Sequence, residues 1–347
     1  MNDSTVEKSI LGIGSYEPGT WLTDQEQAFE YAAQSGKIVF FIGDYATCPY
    51  AKKMWSELLT QPDFLEYAKE NFILLHVTTA ISPVVRLFDP QGVEITQRLG
   101  FNSGHSDIWL QWLKIPYAQI TGVLVDSGTS SFANKANLWQ NDTVKANESA
   151  FVACNGVISN IEILGEGFLE VHSGGIAKNT TVQNLAEMFV INGVARETTA
   201  NSGGHIYVHH SGKLEDSLIN RGGAAFLWKD GIAECTSVEG DLIVESGGSA
   251  ISTFVNSNGY IHISSGGTAV ATTNSGLGYV FNGGSACQTK LDDNSMLFVM
   301  QGGKTMQTEV NASAMEYISS GGYAEQTCVN VGGTLLVEGG SAVMTRH

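Results

Sequence analysis

The stretch Gly321-Gly322-Tyr323-Ala324-Glu325-Gln326-Thr327-Cys328-Val329 decides the fold of most of this chain, because its pattern recurs on both sides of it. Its second glycine has counterparts every 17–19 residues. These anchor glycines are Gly156, Gly175, Gly193, Gly212, Gly231, Gly248, Gly267, Gly284, Gly303, Gly322 and Gly340. Self-similarity at a short period is the signature of a repeat architecture.

Each repeat carries the same residue types at the same distance from its anchor. The second residue after the anchor is Ala in most repeats, and apolar residues dominate the seventh after it and the fourth before it. Alternating apolar positions indicate short, half-buried strands, and Gly-Gly predicts a turn with a positive φ. We therefore expect two short strands per repeat. The fifth residue carries a hydroxyl, at Thr180, Thr198, Ser217, Thr236, Thr253, Thr272, Thr289, Thr308, Thr327 and Thr345.

A repeat of this length cannot bury its own apolar face, so neighbouring copies must stack and share one. The sequence predicts an all-β solenoid (β-helix) of about 11 coils, roughly 50 Å long at about 4.8 Å per coil. Proline cannot donate to such a ladder, and none of the 6 prolines follows Pro116. The glycines expected to be structural are Gly175, Gly193, Gly231, Gly248, Gly267, Gly284, Gly303 and Gly322.

The distribution of glycine divides the 347-residue chain into two domains. Of the 40 glycines, 32 follow residue 120, where the prolines have ended. We predict an α/β domain over residues 1–120 and the repeat solenoid over 121–347. The elements predicted in the first domain are a helix between Asp24 and Gly36, a strand over 38–42, a helix opened by Cys48-Pro49, a helix after Pro62, a strand from Phe72, a hairpin around Asp89-Pro90-Gln91-Gly92 and a helix after Ser106.

Residues 20–115 resemble the thioredoxin superfamily. The matching landmarks are Trp21, Gly36-Lys37-Ile38, Cys48-Pro49-Tyr50, Lys52-Lys53-Met54, Asn71-Phe72 and Ser82-Pro83. The resemblance implies a catalytic Cys48 that faces a cis-proline at Pro83, with Pro83 and Tyr50 in a peptide-binding groove. Ala51 stands where the family has its resolving cysteine, and the segment from Phe72 to Pro83 is too short for the family's intervening helix.

A thioredoxin-like reductase needs a second thiol to release a mixed disulfide. The Cys-x-x-Ala motif therefore leaves two interpretations of Cys48. In the first, a helix N-terminus lowers the pKa of the thiol and supports monothiol exchange or peptide capture. In the second, the domain is degenerate and the thiol is inert.

Residues 150–347 resemble the AIDA-type repeats of bacterial autotransporter adhesins, through Gly-Gly-x-Ala-x-x-Thr-x-Val units such as Gly321–Val329 and through Gly247-Gly248-Ser249-Ala250. The resemblance implies surface display, self-association and adhesion, with glycosylated repeat hydroxyls. The resemblance favours a cell-surface or secreted location. Neither a secretory signal nor a membrane barrel is recognised in the sequence, so a cytoplasmic location also stays open.

Composition excludes several functions. The net charge of −17 disfavours a nucleic-acid partner, and no apolar window is long enough for a membrane helix. The cysteines lack zinc-type or disulfide spacing, and no calcium β-roll motif occurs, so no metal or cofactor is predicted. The histidines sit at unrelated repeat phases and are expected on solvated faces: His172, His205, His209, His210 and His262.

Two hypotheses follow. The first is a non-enzymatic structural, adhesion or self-association protein that binds itself or a cell-surface partner. The second is a monothiol thiol-disulfide exchange or peptide-binding protein with the solenoid as its stalk.

Overall fold

A computed structural model gives the fold of the protein. It describes residues 16–45, 47–79, 84–92, 94–99, 110, 113, 123–126, 132–135, 137–153, 155–292 and 294–346. The chain divides into two units, Met1–Ala118 and Gln119–His347. Each unit is described by itself below.

The N-terminal unit is a mixed α/β fold. Its elements are β1 (Trp21–Leu22), α1 (Gln25–Ser35), β2 (Ile38–Asp44), α2 (Pro49–Met54), a π-helical turn (Trp55–Leu59), α3 (Pro62–Asn71), β3 (Phe72–Thr78), β4 (Val84–Phe88) and β5 (Glu94–Leu99). The expected cap of α1 is confirmed, since the Asp24 carboxylate accepts a hydrogen bond from the backbone N–H of Gln27 at 2.9 Å. Gly36 ends the helix in a left-handed conformation.

The five strands form one sheet in the order β1-β3-β2-β4-β5. β2 runs parallel to β3 and antiparallel to β4, and β4 and β5 form the expected hairpin. Phe40 on β2 and Phe64 on α3 are fully buried, and their ring centroids lie 5.3 Å apart. The helix expected after Ser106 and the cis-proline expected at Pro83 lie outside the described residues.

The C-terminal unit is an all-β solenoid of about eleven turns over residues 138–343, preceded by a short hairpin. Its strands are β6 (Val123–Asp126), β7 (Phe132–Asn134), β8 (Leu138–Val144), β9 (Ser149–Val152), β10 (Val157–Ile163), β11 (Phe168–Val171), β12 (Ile176–Lys178), β13 (Thr181–Val182), β14 (Glu187–Ile191), β15 (Val194–Arg196), β16 (Thr199–Ala200), β17 (His205–His209), β18 (Lys213–Glu215), β19 (Leu218–Ile219), β20 (Ala224–Leu227), β21 (Ile232–Glu234), β22 (Ser237–Val238), β23 (Asp241–Val244), β24 (Ser249–Ile251), β25 (Phe254–Val255), β26 (Tyr260–Ile263), β27 (Thr268–Val270), β28 (Thr273–Asn274), β29 (Leu277–Val280), β30 (Ser285–Cys287), β31 (Lys290–Leu291), β32 (Met296–Val299), β33 (Lys304–Met306), β34 (Glu309–Val310), β35 (Met315–Ile318), β36 (Tyr323–Glu325), β37 (Cys328–Val329), β38 (Thr334–Val337) and β39 (Ser341–Val343).

A regular coil has three strands rather than the two expected. The first strand of each coil joins the long sheet, which has the order β38-β35-β32-β29-β26-β23-β20-β17-β14-β11-β9-β6-β7. The fourth residue after each anchor glycine breaks the predicted second strand, because this residue adopts a left-handed φ of 49–57°. The residues at this break are Asn179, Glu197, Asp216, Cys235, Ser252, Ala271, Gln288, Gln307, Gln326 and Met344.

The two glycines of each Gly-Gly corner have different structural roles. The first has a positive φ, as at Gly266 (φ 76°) and Gly321 (φ 76°). The second approaches the coil below, so that a Cβ on Gly267 would lie 2.4 Å from the backbone oxygen of Val244. The corner therefore needs one glycine for its dihedral angle and one for its close packing.

The interior of the solenoid consists of stacked, buried columns of like residues. One column includes Ala233, Ala250 and Ala269, which are register partners in successive coils. The repeated Thr positions are also buried, from Thr180 to Thr327. Among the residues that the structure describes, no helix has the length and apolar character needed to cross a membrane.

Candidate functional site

The N-terminal unit carries the predicted thiol site. Cys48 is the N-cap of α2 with Pro49 as the first helical residue, as expected. Its side chain is fully buried. A hydrogen bond with Cys48 raises the pKa of the Tyr45 phenol above its ordinary value.

A polar cluster lies at the end of β2, the strand that precedes Cys48. The buried carboxylate of Asp44 accepts a hydrogen bond from the indole N–H of Trp55 at 2.8 Å and lies 2.9 Å from Nε2 of His76. Sequence reasoning missed this cluster, although a carboxylate that follows five apolar residues was a usable signal. The cluster ties the π-helical turn to β2 and β3.

The predicted peptide-binding residues are only partly described. Tyr50 lies on α2, two residues after Cys48, and its side chain is 52% exposed. Pro83 lies outside the described residues, so the structure does not place it against Cys48.

The long sheet of the solenoid presents a column of rings on its outer face. The residues of this column are aligned by the strand register, and we call them the ring column. They are Phe189, Tyr207, Phe226, Ile243, His262, Tyr279, Phe298 and Tyr317, of which all but Ile243 carry a ring. Ring centroids of Tyr207 and Phe226 lie 5.0 Å apart, and those of Tyr279 and Phe298 lie 5.1 Å apart. All members after Phe189 are half-buried. Aromatic surface of this kind is typical of binding faces.

Two of the histidines expected on solvated faces are buried, so that expectation was wrong. His172 lies 2.7 Å from the carboxylate of the buried Glu170. His209 is 1% exposed and packs on the ring of Trp228. His172 directly follows β11 and His209 is the last residue of β17, and both strands also carry rings.

One acidic residue occupies the interior itself, which the sequence reasoning also missed. Glu316 accepts hydrogen bonds from the hydroxyls of Thr305, Thr308 and Thr327 at 2.7, 3.0 and 2.8 Å. Burial raises the pKa of Glu316, and the three hydrogen bonds oppose that rise. The Thr column supplies two of the donors that a buried carboxyl requires, and Thr305, in the column otherwise occupied by Ala286 and Ala324, supplies the third.

The repeat hydroxyls fall into two groups. The Thr column lies inside, where it is inaccessible to a modifying enzyme. Ser249, Thr268 and Ser285 are register partners on the outer face of the shorter strands. The Thr268 hydroxyl lies 3.3 Å from that of Ser249.

Over the described part of the chain, no group of three or more His, Cys, Asp or Glu side chains is arranged to hold a metal ion. Cys48, Cys235, Cys287 and Cys328 are free thiols.

Comparison with known proteins finds similarity to a solved structure. No family model and no curated protein matches the chain. The chain is similar to the crystal structure of a TibA fragment that is hyper-glycosylated in a reaction catalysed by TibC. The two sequences are 31% identical over 59% of this chain and 84% of that chain, with a TM-score of 0.54.

Proposed function

We propose, from the premise that the chain belongs through its solenoid to the family of the TibA fragment, that it is a non-enzymatic adhesion or self-association protein. The observation that carries this proposal is the ring column, which offers half-buried aromatic surface along the outer face of the long sheet. The AIDA-type repeat pattern supports the same role at a cell surface. The partner is then a second copy of the chain or a surface molecule.

Bead aggregation tests the proposal. Beads coated with the full chain should cluster, whereas beads coated with the double variant Tyr279→Ser/Phe298→Ser should cluster much less. A matched control is Thr273→Ser, on the outer side of the shorter strands. Equal clustering of wild-type and bare beads, with a strictly monomeric chain in solution, would overturn the proposal.

We further propose that the outer hydroxyls Ser249, Thr268 and Ser285 accept glycans. The support is the glycosylated state of the TibA fragment together with their position in one outward column. Co-expression with TibC should add mass to the chain, and the triple variant Ser249→Ala/Thr268→Val/Ser285→Ala should lose part of it. An unchanged intact mass would contradict the proposal.

For the N-terminal unit we propose a degenerate thioredoxin-like domain. The strand order β1-β3-β2-β4-β5 and a cysteine at a helix N-terminus support it. The full burial of Cys48 favours an inert thiol over monothiol exchange, since exchange requires access to the attacking sulfur.

A further inference from the structure

The ring column is interrupted at one coil. On one side, the rings of Tyr207 and Phe226 stack with an interplanar angle of 15°. On the other side, His262 and Tyr279 stack at 5.3 Å with an angle of 12°. The strand register places Ile243 between Phe226 and His262. One coil therefore lacks a ring where each of its neighbours has one.

The missing ring leaves an opening over Ile243, which we call the ring slot. Because coils repeat at about 4.8 Å, the rings of Phe226 and His262 are separated by two coil spacings, roughly 10 Å. That distance admits one further ring at ordinary stacking separations on both sides. The depression at this position is open to solvent and has a volume of about 460 Å³.

Polar groups border the ring slot. Asp241 and Ser264 both line it, and Ala224, the register partner of Asp241, leaves that carboxylate open on one side. In the described part of the chain, neither the Asp241 carboxylate nor the Ser264 hydroxyl forms a side-chain hydrogen bond. Their hydrogen-bonding capacity is therefore free for a bound molecule.

Burial favours the neutral form of His262, which forms one wall of the slot. Burial lowers the pKa of His262, and the nearby charge of Asp241 opposes that shift. A neutral imidazole can stack on a flat apolar surface and can also donate or accept a hydrogen bond at its edge.

We propose that the ring slot binds a neutral pyranose saccharide, stacked between Phe226 and His262 and hydrogen-bonded by Asp241 and Ser264. A pyranose has an apolar C–H face that suits the two rings and hydroxyls that suit the carboxylate. The net charge of −17 and Asp241 itself disfavour an anionic sugar. An aromatic side chain from a second copy would fill the slot but would desolvate Asp241 without a partner. The inference rests on the proposed adhesion function, for which it names the receptor chemistry.

Saturation-transfer NMR with the full chain tests the inference. The probes are the methyl glycosides of glucose, galactose, mannose and N-acetylglucosamine. We expect saturation transfer to the ring protons of at least one of them. Ile243→Tyr continues the ring column through the slot, so it should abolish the transfer while the melting temperature is maintained. Asp241→Asn should weaken binding by about tenfold.

The matched control is Ile251→Tyr, the same exchange at a half-buried outer position of the shorter strands, which should bind like wild type. The inference is overturned if no glycoside receives transfer, or if transfer is equal in wild type and Ile243→Tyr. Dimerisation of wild type that Ile243→Tyr abolishes, without glycoside binding, would assign the slot to a second copy instead. Bead clustering is measured without saccharide, so failure of the adhesion proposal is seen separately.

Discussion

At the residue scale, the interior carboxyl of Glu316 is the clearest departure from a regular repeat. Its register partners Leu297 and Leu335 are apolar, so the coils on either side have an apolar residue at this position. Two of the three threonine donors, Thr308 and Thr327, lie in the repeated Thr column, whereas Thr305 stands where its register partners are Ala286 and Ala324. The polar site therefore combines two departures from the repeat, Glu316 and Thr305, with the regular Thr column.

Glu316→Gln should stabilise the chain at neutral pH by about 1–3 kcal/mol, because the amide keeps an acceptor and removes a buried charge. Because the folded-state pKa of Glu316 is raised, the protonated side chain contributes to the free energy of unfolding. This contribution is fully present below the unfolded-state pKa of about 4.3. The contribution is lost as pH rises through the folded pKa. As the pH rises from the unfolded-state pKa to the folded-state pKa of Glu316, the wild type should therefore lose stability relative to the Glu316→Gln variant.

Melting temperature measured against pH by circular dichroism checks this prediction. Glu234→Gln, at an exposed position, is the control and should leave the profile unchanged. Superimposable profiles for wild type and Glu316→Gln would contradict it.

Ala271 tests the left-handed break within the coil. An alanine at φ 55° carries a steric penalty that glycine avoids, so Ala271→Gly should be neutral or stabilising by up to about 1 kcal/mol. Ala269→Gly, at a buried strand position two residues earlier, should destabilise instead. Chemical denaturation of the two variants gives the comparison, and equal losses would refute the assignment of strain to residue 271.

Cys48 should react slowly in the native chain, because its side chain is buried whereas Cys235 and Cys328 are exposed. Brief iodoacetamide treatment followed by peptide mass mapping should label Cys235 at least about tenfold faster. Unfolding in urea should equalise the rates. Native labelling of Cys48 as fast as Cys235 would restore the monothiol hypothesis.

At the element scale, the Gly-Gly corner explains why the period could be read directly from the sequence. The second glycine of each corner meets a backbone oxygen of the coil below, and no other residue fits there. The break that divides the predicted second strand could not be read in the same way, because its positions hold Asn, Glu, Asp, Cys, Ser, Ala, Gln and Met. Their left-handed φ is imposed by stacking and not by residue type.

Gly267→Ala should cost more stability than Gly266→Ala. The methyl group at residue 267 would lie 2.4 Å from the oxygen of Val244, whereas the nearest atom to a methyl at residue 266 is the Ser246 Cα at 3.3 Å. The second change costs only the left-handed penalty of about 1–2 kcal/mol. Thermal denaturation ranks the two variants, and the reverse order would contradict the close-packing role.

At the scale of the whole molecule, each coil contacts only its neighbours, so a complete repeat should be removable. Deleting residues 285–303, which join one anchor glycine to the next, should leave a folded solenoid with one coil fewer. Deleting residues 294–303 should disrupt folding, because it removes β32 with its Gly-Gly corner and leaves half a coil that cannot pair with the coils on either side. Circular dichroism and proteolysis distinguish the two, and equal behaviour would argue against coil independence.

The sequence was most informative about what repeats. Corner glycines and inner Ala and Val positions recur, so their roles could be inferred without coordinates. The Thr positions also recur, but their burial had to be seen in the structure, since the family resemblance implied glycosylated repeat hydroxyls. The ring slot exists because Ile243 stands where the neighbouring coils have a ring. The Asp44 cluster joins residues that are distant along the chain. Neither has a periodic signature, and both required the strand register to be seen.

The parallel ladders have a mechanical consequence. Their backbone hydrogen bonds run along the solenoid axis, so a pull on the two ends loads successive coils in series. Coils should then peel away one after another, each releasing 17–19 residues, or about 60 Å of extended chain. A solenoid loaded in this way would unfold in steps under tension and would lengthen before the chain breaks.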